Sequence, residues 1–155
     1  MDFDSAFVAL IGNEGGLTDD PADPGGLTKY GISQRAYPAV DIRNLTLDGA
    51  KAIYRQDYWG PAGCEQVPDA IRFDLFDMAV NSGVKTAIKT LQKAVLENED
   101  GVMGPATMTA LQAADPVKLE VRFQGARLLL ITSLTTWATF GKGLVERIAH
   151  NMLRF

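Results

Sequence analysis

Between Glu14 and Ile32 the chain reads Glu-Gly-Gly-Leu-Thr-Asp-Asp-Pro-Ala-Asp-Pro-Gly-Gly-Leu-Thr-Lys-Tyr-Gly-Ile. A glutamate stands at the end of an apolar helical pattern, two glycines follow it, and a turn-rich loop then carries Asp19, Asp20 and Asp23. Glu14 lies one turn beyond Leu10 and Ile11, so it borders the face that a first helix would bury. Lost hydration there raises a carboxyl pKa and favours the protonated form that a general acid needs. The negative end of the helix dipole pushes the same way. The aspartates sit instead in a wet loop. Two carboxylates in unlike surroundings are what acid–base cleavage of a glycosidic bond requires.

Each of these residues also has a plainer reading. An exposed glutamate in a last helical turn is ordinary; Gly15 and Gly16 tip the balance, because small residues let a ligand approach the backbone closely. Aspartate beside proline is common in turns, and Asp19 is read as a turn-stabilising Asx residue. Asp23 falls where the loop can fold back toward Glu14, to orient a water or stabilise positive charge on a sugar. Thr28 could hold the same water, or simply be a strand residue. Pro21 and Pro24 interrupt the alternation that a calcium loop needs, so no metal site is expected.

The elements that must position these residues are mostly helical. Phe3, Phe7, Leu10 and Ile11 recur at helical spacing behind Asp2 or Asp4 as N-cap, predicting a first helix that ends near Gly15. Proline and glycine forbid a long helix from Gly16 to Ser33, and Asp23-Pro24-Gly25-Gly26 suits a type II turn. Leu27 to Ile32 is expected to form one arm of a small hairpin. Thr46 caps a helix reaching about Trp59, and Pro68 opens one whose face is Ile71, Leu75 and Met78. Gly83 breaks it, and Ala87, Ile88, Leu91, Val95 and Leu96 form the next amphipathic face. Pro105 and Pro116 open two more helices, the second behind Asp115. Gly141 and Gly143 are expected to set off a final helix containing Val145, Ile148 and Met152. The fold class is mainly α, with a small β-hairpin near the N-terminus.

At 155 residues the chain is read as one domain with a core of its own. Hydrophobic residues at 46% and charged residues at 22% are ordinary for a globular protein. A single cysteine, Cys64, excludes an internal disulfide. The net charge of −4 argues against a nucleic-acid partner held by phosphate neutralisation. The first residues show no basic region before an apolar stretch, so no signal peptide is expected. The apolar run from Leu128 to Leu134 is too short to span a bilayer. Tyr58, Trp59 and Trp137 could stack on sugars, yet aromatics at helical spacing are more often core; Tyr58 is kept as a substrate-binding candidate. His150, near the end of an amphipathic helix, reads as a helix-terminal charge. Nothing places it beside Cys64, and a structural zinc site lacks ligands.

Glu14-Gly15-Gly16, the segment Asp20 to Gly26, Thr28 and Gly31-Ile32-Ser33 resemble the signature of the phage-type N-acetylmuramidases of glycoside hydrolase family 108. In that family the glutamate of Glu-Gly-Gly is the catalytic acid, which the resemblance maps to Glu14. The order of Glu14, Asp23 and Thr28 is similar to the Glu–Asp–Thr set of phage-type lysozymes, with a different spacing at the threonine. Phe76 to Gly83 resembles a family segment in which Asn81 would end a helix facing the cleft. Asp100 to Thr107 resembles a motif assigned to a predicted peptidoglycan-binding region. Phe140-Gly141-Lys142-Gly143 resembles the start of a motif that usually continues with tryptophan and ends Asn-Arg, whereas this chain has Leu144, Val145, Glu146 and Arg147.

The resemblance implies a lysozyme-like domain over 1–155, with a catalytic half to about residue 85 and a helical half beyond it. It implies hydrolysis of the β-1,4 bond between N-acetylmuramic acid and N-acetylglucosamine in peptidoglycan. Glu14, Asp23 and Thr28 are the catalytic candidates, with Asp20 an alternative to Asp23; Asp20, Tyr30, Tyr58 and Asn81 are the substrate-binding ones. No cofactor is expected. The expected partner is the glycan strand, with no nucleic acid and no stable membrane insertion. The expected role is that of a monomeric phage or prophage endolysin, made in the host cytoplasm. A holin-like membrane protein would release it to the wall. Two alternatives remain: a non-catalytic peptidoglycan-binding protein, and a lytic transglycosylase.

Overall fold

Asp2 starts the first helix, α1 (Phe3–Ile11), its Oδ1 accepting the Ser5 amide at 2.8 Å. A computed structural model of the chain describes residues 1–12, 16–19 and 26–153; Glu14, Asp20 and Asp23 lie outside the described residues. Helix α1 stops at Gly12, whose φ of 60° turns the chain while its amide donates to Val8 O at 3.1 Å. The stop was expected near Gly15. It comes at Gly12 instead.

The described residues group into two compact units, Met1–Gly60 and Pro61–Phe155. In the first, β1 (Leu17–Thr18), β2 (Thr28–Lys29) and β3 (Ile32–Ser33) form an antiparallel sheet in that order. Leu17 pairs with Lys29, and Thr28 with Ser33. Between β2 and β3 the chain turns at Tyr30 and Gly31, both at positive φ (51° and 75°), the combination a type I′ hairpin turn demands. Leu27 to Ile32 is therefore not one arm of a hairpin. It contains a whole arm, the turn and the start of the next.

Thr46 caps α2 (Leu47–Tyr54) by accepting the Gly49 amide at 3.0 Å. The helix then continues as a π-helix over Arg55–Trp59, closed by a Gly60 amide to Arg55 carbonyl bond of 2.9 Å. Positions 54 and 59 would diverge by about 140° in an α-helix. The wider turn brings them closer to one face, and both Tyr54 and Trp59 are buried, at 4% and 1% exposure. Trp59, Phe3, Phe7 and Tyr54 follow one another in a ladder of rings with centroids 5.4, 6.1 and 5.4 Å apart. Edge-to-face pairs at these distances add to the apolar burial that joins α1 to α2.

In the second unit α3 (Asp69–Ser82) is buried nearly all round, the mark of a central helix. It packs against α4 (Val84–Ala94) and α6 (Pro116–Thr132), and α6 in turn packs against α7 (Trp137–Met152). Helix α5 (Pro105–Ala113) and α6 both begin with proline, and Asp115 caps α6 by accepting the Lys118 amide at 2.9 Å. Ala87, Ile88 and Leu91 are buried as expected, but α4 ends at Ala94 and Leu96 is 77% exposed at a φ of 62°. Helix α7 runs straight through Gly141 and Gly143. Gly141 is a packing residue there: a Cβ would lie 2.3 Å from Cε3 of Trp137. Of the residues expected in the final helix, Ile148 is buried and Met152 is half exposed.

One feature of this unit has no counterpart in the apolar pattern. Arg127, 5% exposed, donates at 2.6 Å to Asp74 Oδ1 and at 2.6 Å to Asp77 Oδ2. Arg147 reaches Asp77 Oδ1 at 2.6 Å, and the Asn151 amide donates to Asp74 and Asp77 at 3.2 and 3.0 Å. Gln124 accepts from Arg127 at 3.2 Å, while its own amide nitrogen has no partner among the described residues. Two carboxylates and two guanidiniums thus pin α3 to α6 and α7.

Burial pushes the Asp74 carboxyl up, against the opposing pull of Arg127 and Asn151. A group with a raised pKa binds its proton more readily in the fold. The stability it confers therefore declines as pH rises from the ordinary 3.8 through the raised value, and is flat beyond. Asp74→Asn, which cannot ionise, should consequently gain stability relative to the parent between pH 4 and pH 7 in urea titrations. A parent that gained on the variant over that interval would contradict the assignment.

Candidate active site

In the first unit the sheet and the end of α2 converge on Tyr54. Its hydroxyl donates to the Tyr30 carbonyl at 3.1 Å, tying the β2–β3 turn to the helix. Gly31 must be small for this contact, since a Cβ would stand 2.5 Å from the Tyr54 hydroxyl. Tyr30 is half-buried beneath the Lys29 ammonium, which lies 5.6 Å from its ring. The Tyr58 ring packs on Tyr54 with centroids 5.6 Å apart. Thr28, at the head of β2, donates its hydroxyl proton to the Gly26 carbonyl at 3.1 Å. What it offers a water is therefore a lone pair.

Tyr30 and Tyr58 are thus both in contact with one buried tyrosine, while Thr28 lies on the strand that leads into the Tyr30 turn. Asp19 is exposed and takes Arg43 Nη2 at 3.2 Å, an ion pair where an Asx bond was expected. In the second unit Asn81 is exposed in the last turn of α3, its amide donating at 2.7 Å to the Asp77 carbonyl. It lines a groove of about 590 Å³ with Met78, Leu134, Phe140 and Leu144. Leu144 occupies the place of the tryptophan in the resembled motif. Arg147, at the place of that motif's arginine, is the residue that reaches Asp77.

The segment Asp100 to Thr107 is organised by Gln92, 1% exposed, which sequence reasoning passed over. Its amide nitrogen donates to Asp100 Oδ1, the Val102 carbonyl and Thr107 Oγ1 at 2.7, 3.0 and 3.1 Å. Its carbonyl accepts the Gly101 amide at 2.8 Å. Gly101 has a φ of 78°, and a Cβ there would meet Lys85 Cγ at 2.6 Å. The aspartate, glycine and threonine of this motif therefore fix the connection between α4 and α5.

Trp59 is core, as aromatics at helical spacing were expected to be, whereas Trp137 is 42% exposed. Burial raises the Cys64 thiol to about 12, which leaves it a poor nucleophile at neutral pH. No group of three or more His, Cys, Asp or Glu placed to hold a metal occurs among the described residues. No helix there is long and apolar enough to cross a membrane.

A further cluster was missed. The Tyr37 hydroxyl lies 2.9 Å from Asp57 Oδ2 and 3.3 Å from the Tyr58 hydroxyl. Burial, then the bonds to Tyr58 and Asp57, push the Tyr37 phenol well above its ordinary value, so it stays protonated. The only trace in the sequence is Asp57-Tyr58-Trp59, in which a straight helix would not put the last residue where the structure has it.

The described residues are mainly helical with a small antiparallel sheet, the architecture expected above of a lysozyme-like domain. A family model described as Glycosyl hydrolase 108 matches residues 7–83. The solved structure titled "Structure of Brucella abortus SagA" is 32% identical, covers 98% of this chain and 92% of that chain, and superposes with a TM-score of 0.85. No curated protein matches the chain. The chain belongs to glycosyl hydrolase family 108, and it is a glycoside hydrolase.

Proposed function

We propose that this protein is a peptidoglycan hydrolase that cleaves the β-1,4 bond between N-acetylmuramic acid and N-acetylglucosamine. The observation that carries the reading is the Glu14-Gly15-Gly16 motif inside a stretch matched by a glycoside hydrolase family. Glu14 protonates the bridging oxygen as the bond breaks. Asp23, or Asp20 in its place, steers water or stabilises the oxocarbenium-like transition state, and Thr28 lends that water a lone pair. The separation of the two carboxyl groups sets the stereochemistry: about 5–5.5 Å gives retention and about 6.5–9.5 Å inversion. Tyr30, Tyr58 and Asn81 contact the glycan.

We further propose that the two units act as one catalytic domain in a monomer. Its role is that of a phage or prophage endolysin, reaching the wall from the cytoplasm through a holin-like partner. Purified walls incubated with the protein should yield new reducing ends. Binding without new ends would turn the reading into that of a wall-binding protein.

A further inference from the structure

The roles given to Glu14, Asp23 and Thr28 leave the Tyr37–Asp57–Tyr58 cluster unused. A phenol has one proton to give. Tyr37 directs its own toward Asp57 at 2.9 Å, with the Tyr58 oxygen a second, longer acceptor at 3.3 Å. The Tyr37 proton is thus spent inside the cluster. What remains for a partner outside it is the Tyr58 hydroxyl and the second carboxylate oxygen of Asp57, which has no partner among the described residues. All three side chains are half-buried.

The scaffold under this cluster is unusually constrained. The Gln34 amide donates to the Tyr37, Pro38 and Val40 carbonyls at 3.3, 3.1 and 3.0 Å, which stiffens the loop that delivers Tyr37. Asp57 and Tyr58 sit in the π-helix, a rare conformation that recurs at functional sites. There the wider turn lets Trp59 enter the core while Tyr58 stays at the surface against Tyr54. A clamp between loop and helix would need only the Tyr37–Asp57 bond. It would not need a spare carboxylate oxygen beside an aromatic ring that reaches solvent.

We propose that Asp57, held by Tyr37 and flanked by Tyr58, is a substrate-contacting acceptor for a hydroxyl or acetamido N–H of the wall glycan. This rests on the glycan-hydrolase reading above. The test uses the full chain carrying Glu14→Gln, so that substrate survives, titrated by NMR with a soluble tetrasaccharide of alternating N-acetylglucosamine and N-acetylmuramic acid. Adding Asp57→Asn keeps the shape and an oxygen for Tyr37 but removes the charge. It should weaken binding about tenfold, as loss of a charged hydrogen-bond acceptor does. In the otherwise unmodified enzyme the same change should raise KM by a similar factor, with kcat and Tm little altered.

Binding within about twofold of the Glu14→Gln parent would overturn the inference while leaving the hydrolase reading intact. So would an unchanged KM with a fall in apparent kcat that tracks loss of folded protein. Absence of tetrasaccharide binding by Glu14→Gln, together with no reducing ends from the unmodified enzyme, would remove both. Tyr37→Phe supplies the second variant: it frees Asp57 without discharging it, and should weaken binding less than Asp57→Asn does.

Discussion

Replacing Arg127 with methionine should cost the fold about 3–5 kcal/mol, the penalty for stranding buried charge. Asp74 and Asp77 are 4% and 1% exposed, and Arg127 donates to both at 2.6 Å. Asp77 would keep Arg147, but Asp74 would be left with the Asn151 amide alone. For a domain whose whole stability is about 5–15 kcal/mol, this is a large share, and Tm should fall by roughly 10 °C. Adding Asp74→Asn and Asp77→Asn should restore much of the loss, since removing a buried cluster together is far less costly than breaking it. Urea unfolding of the single and triple variants measures both effects. A single variant that loses under about 1 kcal/mol would show that water or relaxation already screens the cluster. The consequence reaches Asn81, proposed above as a glycan contact, because its amide hangs on the Asp77 carbonyl one turn away.

Glu14→Gln should lower the rate of wall cleavage by about 10²–10⁴-fold, the usual worth of a positioned general acid. The amide nearly preserves shape but has no proton to give the departing oxygen. Wall binding should therefore persist while lysis stops. Turbidity of outer-membrane-stripped cells reads the lysis, and sedimentation with purified walls reads the binding. A variant that kept more than about a tenth of the parent rate would hand the acid role to another carboxyl group.

Much of the fold is legible in the residues because its signals are local. Asp2, Thr46 and Asp115 cap the helices they were expected to cap, and Pro105 and Pro116 open theirs. Gly83 breaks the helix at a φ of 86°. What misled was glycine whose purpose is tertiary. Gly141 looks like a breaker, yet it clears space for the Trp137 ring within one continuous helix. Tyr30 is no turn residue by type, and besides Gly31 the turn is held by the Tyr54 hydroxyl on the Tyr30 carbonyl, a tertiary bond that no local pattern announces. Of the candidate site, the family motif names Glu14 and the lysozyme-like order adds Asp23, both outside the described residues, while Tyr30 and Tyr58 both touch Tyr54. The Asp74–Arg127 cluster could have been suspected from an arginine inside the apolar run Ala126 to Ile131. The cluster around Asp57 could not, because it depends on a π-helix that no periodicity announces.

Mass spectrometry of muropeptides released from purified walls bears most directly on the central claim. Water delivered to the bond that Glu14 protonates should leave products ending in reducing N-acetylmuramic acid. Products ending in anhydromuramic acid, or in reducing N-acetylglucosamine, would contradict it.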